Sequence, residues 1–215
     1  MNHRTEFVLK RAVDVAASAV LLVILAPVFL IVVVAILLDS PGAPLFVQER
    51  VGRGGRKFRM LKFRTMVRGA EAIGSGVYVS ESDPRITHVG RILRRFSLDE
   101  LPQLLHVLVG QMSLVGPRPG LPYQLALYTP RQARRVSVRP GLTGWSQVNG
   151  RNRLSWPERV EYDIWYLEHF SLWLDARILF RTIAVSLSGE GLYAARDRFF
   201  FSQHDDVPVP SRRNS

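Results

Sequence analysis

The sequence predicts an α+β, mainly helical protein in which an apolar membrane segment precedes one small globular domain with a short β-hairpin and interfacial helices. Three observations lead there. Val15 to Leu38 is an unbroken run of 24 uncharged residues rich in Val, Leu and Ile. Leu45 to Val51 and Lys57 to Phe63 mix apolar and basic residues on either side of Gly52-Arg53-Gly54-Gly55. Leu101, Leu104, Leu105 and Leu108 recur at helical spacing.

The apolar run comes first. As one straight helix it would reach about 36 Å, enough for a hydrocarbon core of about 30 Å. Pro27 lies near its midpoint, where it removes a backbone donor and clashes with the preceding turn, so a bend or break is expected there. Both flanks are basic, with Arg4, Lys10 and Arg11 before the run and the Arg50 to Arg68 cluster after it. The positive-inside rule then favours both ends on the cytoplasmic side, as a re-entrant hairpin would place them. A single-pass anchor with a tolerated proline is the competing reading. A cleavable signal peptide fits poorly, because its apolar region is only about 7 to 15 residues.

Asp39-Ser40-Pro41-Gly42-Ala43-Pro44 is turn chemistry and marks the boundary between an anchor, residues 1–40, and a catalytic domain, residues 41–195. The segments around Gly52 to Gly55 read as a β-hairpin with a loop of four to five residues. Residues 69–84 read as a connecting loop, and Ile86 to Phe96 as a short helix. A further helix is expected from Asp99 to Val109, stopped by Gly110, with Pro102 in its first turn. Gly116 to Gly120 and Pro140 to Gly144 read as rigid loops, separated by the basic segment Arg131 to Arg139. Ser155 to Leu187 reads as a helical region whose aromatic residues serve as core or as membrane-interface anchors. Residues 196–215 read as a disordered tail.

With 215 residues the chain has room for one domain plus an anchor. It contains no cysteine, which excludes disulfides and thiolate metal sites. The formal charge of +11 points to an anionic partner, whether phosphorylated substrate, acidic lipid or nucleic acid, with a solvated basic face as the plain alternative. The histidines lack metal-ligand spacing. No Gly-rich loop ends in Lys-Ser or Lys-Thr, and no Ser sits in a nucleophile elbow.

Asp99 and Glu100 stand out as adjacent carboxylates that follow Arg85, Arg91, Arg94 and Arg95 and open the Leu101 helix. One reading is helix capping, with Ser97 and Glu100 as a capping box or Asp99 as the cap. The other is chemical: the helix start keeps Asp99 ionised as a nucleophile while Glu100 holds a hard cation, and Mg²⁺ commonly uses one or two carboxylates together with substrate phosphates. Lys62, Arg64, Arg85, Arg94 and Arg118 are the candidate phosphate-binding cations. Arg118, fixed between Pro117 and Pro119, is the best placed for bidentate contact.

The ordered blocks Lys10-Arg11 with Asp14, Phe46-Val47-Gln48-Glu49-Arg50-Val51-Gly52, Lys62-Phe63-Arg64-Thr65-Met66, Asp83-Pro84-Arg85-Ile86-Thr87, Ser97-Leu98-Asp99-Glu100-Leu101-Pro102-Gln103, Met112-Ser113-Leu114-Val115-Gly116-Pro117-Arg118-Pro119 and Pro140-Gly141-Leu142-Thr143-Gly144-Trp145 together resemble the bacterial sugar transferases, small monotopic phosphoglycosyl transferases, over about Lys10 to Thr182. The resemblance implies that Asp99 attacks the β-phosphate of a UDP-sugar, releases UMP and passes the phosphosugar to polyprenyl phosphate. It further implies that Glu100 binds Mg²⁺, that Asp99 lies beside the ion, that Arg118 contacts phosphate and that Asp163 is another active-site acid. The anchor it implies is re-entrant, at the cytoplasmic face of the bacterial inner membrane and in contact with its lipids. Departures from the family pattern are His106 where Asn is common, Val109 where Lys is common, Gly69 where Asp is common and Ser146 where Ala is common. The alternative of another class is a membrane-tethered basic module that binds nucleic acid or acidic lipid without catalysis. An acidic pair among the arginines would repel a polyanion, so no nucleic acid is expected as partner.

Overall fold

The computed structural model describes residues 3–70, 79–80, 82–189 and 191. It is mainly helical, with two small sheets of two strands each. The predicted tail, and most of the predicted loop over residues 69–84, lie outside the described residues.

Helices α1 (His3–Ile24) and α2 (Ala26–Asp39) are bent by 60° across Leu25. Among the described residues no single helix is long and apolar enough to cross a membrane; the bent pair taken together has the length and composition of a broken span or a re-entrant loop. The sequence predicts a break at Pro27, and the structure puts the kink two residues earlier. Pro27 has no N–H to give, and its ring would press on the Val23 carbonyl in a continuous helix, yet proline fits the first turn of a new one. The chain therefore turns at Leu25 (φ −87°, ψ −1°) and starts again with Pro27 in the first turn of α2. The ladder resumes with Phe29 N–H donating to the Leu25 carbonyl at 2.9 Å.

The bent pair is built into the globular core. In α1, Asp14 is buried and accepts hydrogen bonds from Ser113 Oγ (2.7 Å) and Leu114 N–H (3.1 Å). The hydroxyl of Ser18, one turn later and fully buried, has no partner among the described residues. In α2, Val32 and Ile36 pack with Phe63 and Leu93.

The predicted hairpin forms as read: β1 (Leu45–Val51) pairs antiparallel with β2 (Lys57–Phe63), Leu45 opposite Phe63 and Val51 opposite Lys57. Its loop requires Gly54 (φ 68°) and Gly55 (φ 77°), because two successive left-handed residues are costly with a Cβ. Phe58, Met60 and Phe63 of β2 enter the core. Helix α3 (His88–Arg95) follows, with its N-terminus capped by the Thr87 hydroxyl.

The helix expected over Asp99 to Val109 is divided. Leu98–Gln103 is a 3₁₀ turn, and α4 (Leu104–Leu108) continues it. Pro102 explains the division, since its ring would crowd the Leu98 carbonyl in an α-helix, and the tighter turn avoids this. Ser97 adopts a left-handed conformation (φ 58°, ψ 21°) and makes no side-chain cap hydrogen bond, so the capping-box reading fails.

A parallel strand pair joins the segment leading to the loop at 116–120 with the loop at 140–144, where the sequence predicts only rigid loops. Strand β3 (Ser113–Val115) sets Ser113 opposite Gly141 and Val115 opposite Thr143 of β4 (Gly141–Thr143), with the one-turn helices α5 (Pro122–Leu125) and α6 (Pro130–Ala133) between them. A Cβ on Gly141 would lie 2.1 Å from Gly116 N, so only glycine permits this approach. After the single turn of α7 (Trp145–Val148), the expected helical region 155–187 is two helices, α8 (Trp156–Glu168) and α9 (Leu172–Ser188). Each starts on a serine cap, Ser155 in a capping box with Glu158 and Ser171 accepting from Leu174 N–H.

Candidate active site

The 3₁₀ turn places Asp99 and Glu100 beside the end of β2 and the Gly116 to Gly120 loop. Glu100 is held from both. Lys62 Nζ donates to Oε1 at 2.9 Å, and Arg118 makes a bidentate contact, Nη2 to Oε1 at 2.5 Å and Nη1 to Oε2 at 3.1 Å. Glu100 keeps 16% of its side-chain exposure and Arg118 keeps 36%, so the pair is sheltered while the guanidinium still reaches solvent. Burial opposes the Glu100 charge, but Arg118 and Lys62 overcome it and hold the carboxyl far below the usual range.

Asp99 is in the opposite condition. Among the described residues it accepts no hydrogen bond and joins no ion pair. Burial pushes its carboxyl up, Lys62 pulls it down, and the Glu100 charge pushes it up again. The sequence reading relied on a helix start to keep Asp99 ionised. The turn there is 3₁₀, and the ionised form is supported by the cations Lys62, Arg94 and Arg118.

Behind Arg118 lies a buried support that the sequence reading saw only in part. Arg135 donates to the Arg118 carbonyl at 2.8 Å, to Tyr128 Oη at 2.6 Å and to Asp163 Oδ2 at 2.5 Å. Asp163 also accepts from Ser146 Oγ at 2.9 Å and is 1% exposed. Asp163 thus stands one residue behind Arg118. Burial pushes its carboxyl up against the pull of Arg135 and Ser146. Ser146, one of the departures from the family pattern, thereby gains a function that an alanine lacks.

The remaining predicted cations divide. Arg94 donates to Thr65 Oγ1 at 2.9 Å and its charge reaches Asp99. Arg64 and Arg85 are not brought to the acidic pair. Arg64 donates to the Ser40 and Pro41 carbonyls, at the C-terminal end of α2 where a cation meets the helix dipole. Arg85 is buried in a bidentate pair with Asp83 and also donates to the Ala70 carbonyl. In this arrangement both are held by partners away from Asp99 and Glu100.

Three arginines near the pair were not singled out from the sequence. Arg50 is held by Gln48 and the Pro119 carbonyl, and burial with the nearby Arg118 charge lowers it to about 10. Arg159 is likewise lowered to about 10, by burial and then Arg118. Arg151 donates to Ser97 Oγ at 2.7 Å and feels both acids. A run of arginines looks uniform in sequence, and only the fold separates those that converge from those that do not.

A cation would find two adjacent carboxylates here. Among the described residues no group of three or more His, Cys, Asp or Glu could form a full protein cage. Asp99 has both carboxylate oxygens open among the described residues, and Glu100 Oε2 accepts only one hydrogen bond, from Arg118. These oxygens with phosphate and water fit the way Mg²⁺ is commonly held, while Glu100 Oε1 is already filled by Lys62 and Arg118.

Residues 5–189 match the family described as bacterial sugar transferase. The chain is 43% identical over 185 residues to EpsL of Bacillus subtilis, an uncharacterized sugar transferase, covering 86% of this chain and 90% of the relative. It is 41% identical over 206 residues to the UDP-galactose-lipid carrier transferase of Erwinia amylovora, covering 89% of this chain and 43% of the relative. With the undecaprenyl-phosphate glucose phosphotransferase of Komagataeibacter xylinus it shares 44% identity over 185 residues, 81% of this chain and 35% of the relative. The chain thus spans nearly all of the first relative and less than half of the other two. On this match over most of its length, the chain belongs to the bacterial sugar transferase family.

Proposed function

We propose that the chain is a phosphoglycosyl transferase that moves a sugar 1-phosphate from a UDP-sugar to polyprenyl phosphate at the cytoplasmic face of the bacterial inner membrane. The observation that carries this is the division of labour in the acidic pair. Asp99 is unpartnered beside Glu100, which is clamped by Arg118 and Lys62. The names of relatives that act from UDP-galactose or on undecaprenyl phosphate support the substrate classes.

In this reading an Asp99 carboxylate oxygen attacks the β-phosphorus of the donor, and the bond from that phosphorus to the oxygen bridging the two phosphates breaks. UMP leaves with the electron pair, and the sugar phosphate stays on Asp99 as an acyl phosphate. An oxygen of polyprenyl phosphate then attacks the same phosphorus, the bond to Asp99 breaks, and the carboxylate is restored. Arg118 binds the non-bridging phosphate oxygens with the part of its guanidinium that reaches solvent, and Arg135 fixes its backbone. Lys62 and Arg94 keep Asp99 ionised. Asp99 and Glu100 would hold Mg²⁺, which supplies neutralisation of diphosphate charge when bound.

The membrane reading divides the chain into an anchor over residues 1–40 and a catalytic domain over 41–195. The bend at Leu25 and the basic flanks support a re-entrant α1–α2 pair with both ends on the cytoplasmic side. Helix α9 supports an interfacial placement, since Trp173, Phe180, Ile183 and Leu187 form an exposed apolar stripe. A non-catalytic basic module leaves the acidic pair without a purpose and is not favoured.

The test offers a panel of UDP-sugars with polyprenyl phosphate and Mg²⁺ and measures UMP release. At least one donor should release UMP, chelator should stop it, and Mg²⁺ should restore it. No release from any UDP-sugar, or full release in excess chelator, contradicts the reading.

A further inference from the structure

Away from the acidic pair, a groove of about 750 Å³ runs between the start of α1, β3, residues 134–139 and the end of α8, and none of Lys62, Asp99, Glu100 or Arg118 lines it. One wall is apolar, with Phe7, Val8, Val138, Leu167 and Phe170. Phe7 stacks on Phe170 at 4.7 Å, and Val8 is 67% exposed. The other wall carries Arg11, Arg53 and Arg139. Arg53 and Arg139 also line an adjoining basic cleft with Arg56 and Lys57.

The acid that lines the groove beside these three guanidiniums is Asp14, whose charge attracts Arg139. Arg11 donates to the Val107 and Leu108 carbonyls, Arg53 to the Ser137 carbonyl and Arg139 to the Gly110 carbonyl. Among the described residues none forms an ion pair. Asp175 is paired with Lys10 and Glu168 with Arg134, whereas Asp14 accepts only from the neutral donors Ser113 Oγ and Leu114 N–H, which leave its charge unbalanced, so three guanidiniums share one carboxylate. Like charges gathered in a partly desolvated groove repel one another, and burial together with Arg11 and Arg53 lowers Arg139. An anion placed among them would relieve that repulsion.

The location selects the anion. Arg11 precedes Val15, the first residue of the apolar run, by one helical turn, or about 6 Å along α1. That is the depth of lipid headgroups if α1 enters the bilayer, and Phe170 of the apolar wall stands three residues before Trp173, which is 77% exposed. We infer that this groove is a binding site for an anionic phospholipid of the membrane, with the phosphate among Arg11, Arg53 and Arg139 and an acyl chain along Val8, Leu167 and Phe170. The inference rests on the membrane placement proposed above but not on the transfer chemistry.

The full chain in neutral detergent is titrated with dioctanoyl phosphatidylglycerol, and bound lipid is counted by native mass spectrometry. One molecule should bind saturably, and dioctanoyl phosphatidylcholine should bind much less. Arg53→Glu, at an exposed loop position, should weaken binding at least about fivefold, the worth of one cation at an anionic surface. Val8→Asp should weaken it as well. Arg91→Glu, the same charge change on α3, should leave it intact. Equal loss in Arg53→Glu and Arg91→Glu, or no saturable binding by the wild type, overturns the site. If Arg53→Glu instead raises the KM for polyprenyl phosphate with lipid binding unchanged, the groove serves the acceptor and the inference falls. Absence of UMP release with lipid binding intact would count against the proposed reaction alone.

Discussion

Asp99 and Glu100 are neighbours in one turn yet titrate in opposite directions, because Arg118 and Lys62 spend their hydrogen bonds on Glu100 and only their charge on Asp99. Two carboxylates whose surroundings drive them apart can take different roles, one as a fixed anion and one as the reacting group.

This separation predicts the pH dependence. Burial raises Asp99 above its ordinary value of 3.8, so on acidification the nucleophilic carboxylate is lost at a higher pH than an exposed aspartate would show. Glu100, held below its ordinary 4.5, stays ionised through that range. Followed by carboxyl-carbon NMR in the metal-free protein, since a bound cation would itself hold the carboxylate ionised, Asp99 should therefore titrate along one limb above pH 3.8. Lys62→Met removes the strongest opposing charge and should move that limb to higher pH. A limb that stays put or moves down would show that Lys62 does not act on Asp99.

The buried Arg135–Asp163 pair predicts a positioning effect. Asp163→Asn leaves Arg135 without its counter-charge and should cost about 3 kcal/mol in thermal unfolding. Because Arg135 also holds the Arg118 carbonyl, the donor KM should rise about tenfold, while the phosphosugar still loads onto Asp99 at saturating donor. Ser146→Ala should give a smaller change in the same direction. Unchanged donor KM in Asp163→Asn would confine Asp163 to a stability role.

The bend at Leu25 predicts a topology that Pro27 maintains. With the native proline, cysteines placed at Thr5 and at Arg59 should both be protected from an impermeant thiol reagent in intact cells and react after lysis. Pro27→Leu restores the missing N–H donor and should make the Thr5 position partly reactive in intact cells. Labelling at that position in intact cells with Pro27 present would contradict the re-entrant anchor.

The extent to which the sequence told this in advance follows the range of the forces involved. Mixed apolar and basic segments around the glycines, all within nineteen residues, marked the β1–β2 hairpin, while its register is seen only in the structure. The Asp99-Glu100 pair and the proline-framed Arg118 were equally legible, since their signals are local. Partners far apart in sequence were hidden. Arg64 and Arg118 look alike as letters, but one is drawn to the end of α2 and the other to Glu100. Strands β3 and β4, three residues each, are too short for a periodic signal and are created by the approach of Gly141 to Gly116. Arg135 was lost in a basic run because nothing local marks the residue that finds Asp163 twenty-eight positions away.

The most direct measurement is the intact mass of the full chain after incubation with a UDP-sugar donor and Mg²⁺ in the absence of polyprenyl phosphate. The wild type should gain the mass of one sugar phosphate, with a matching release of UMP, and should lose it again when polyprenyl phosphate is added. Asp99→Asn should gain none and turn over at least about 10³-fold more slowly, because a carboxamide is a far weaker nucleophile. Turnover by the wild type with no adduct at any time point, or wild-type turnover by Asp99→Asn, would contradict covalent transfer through Asp99.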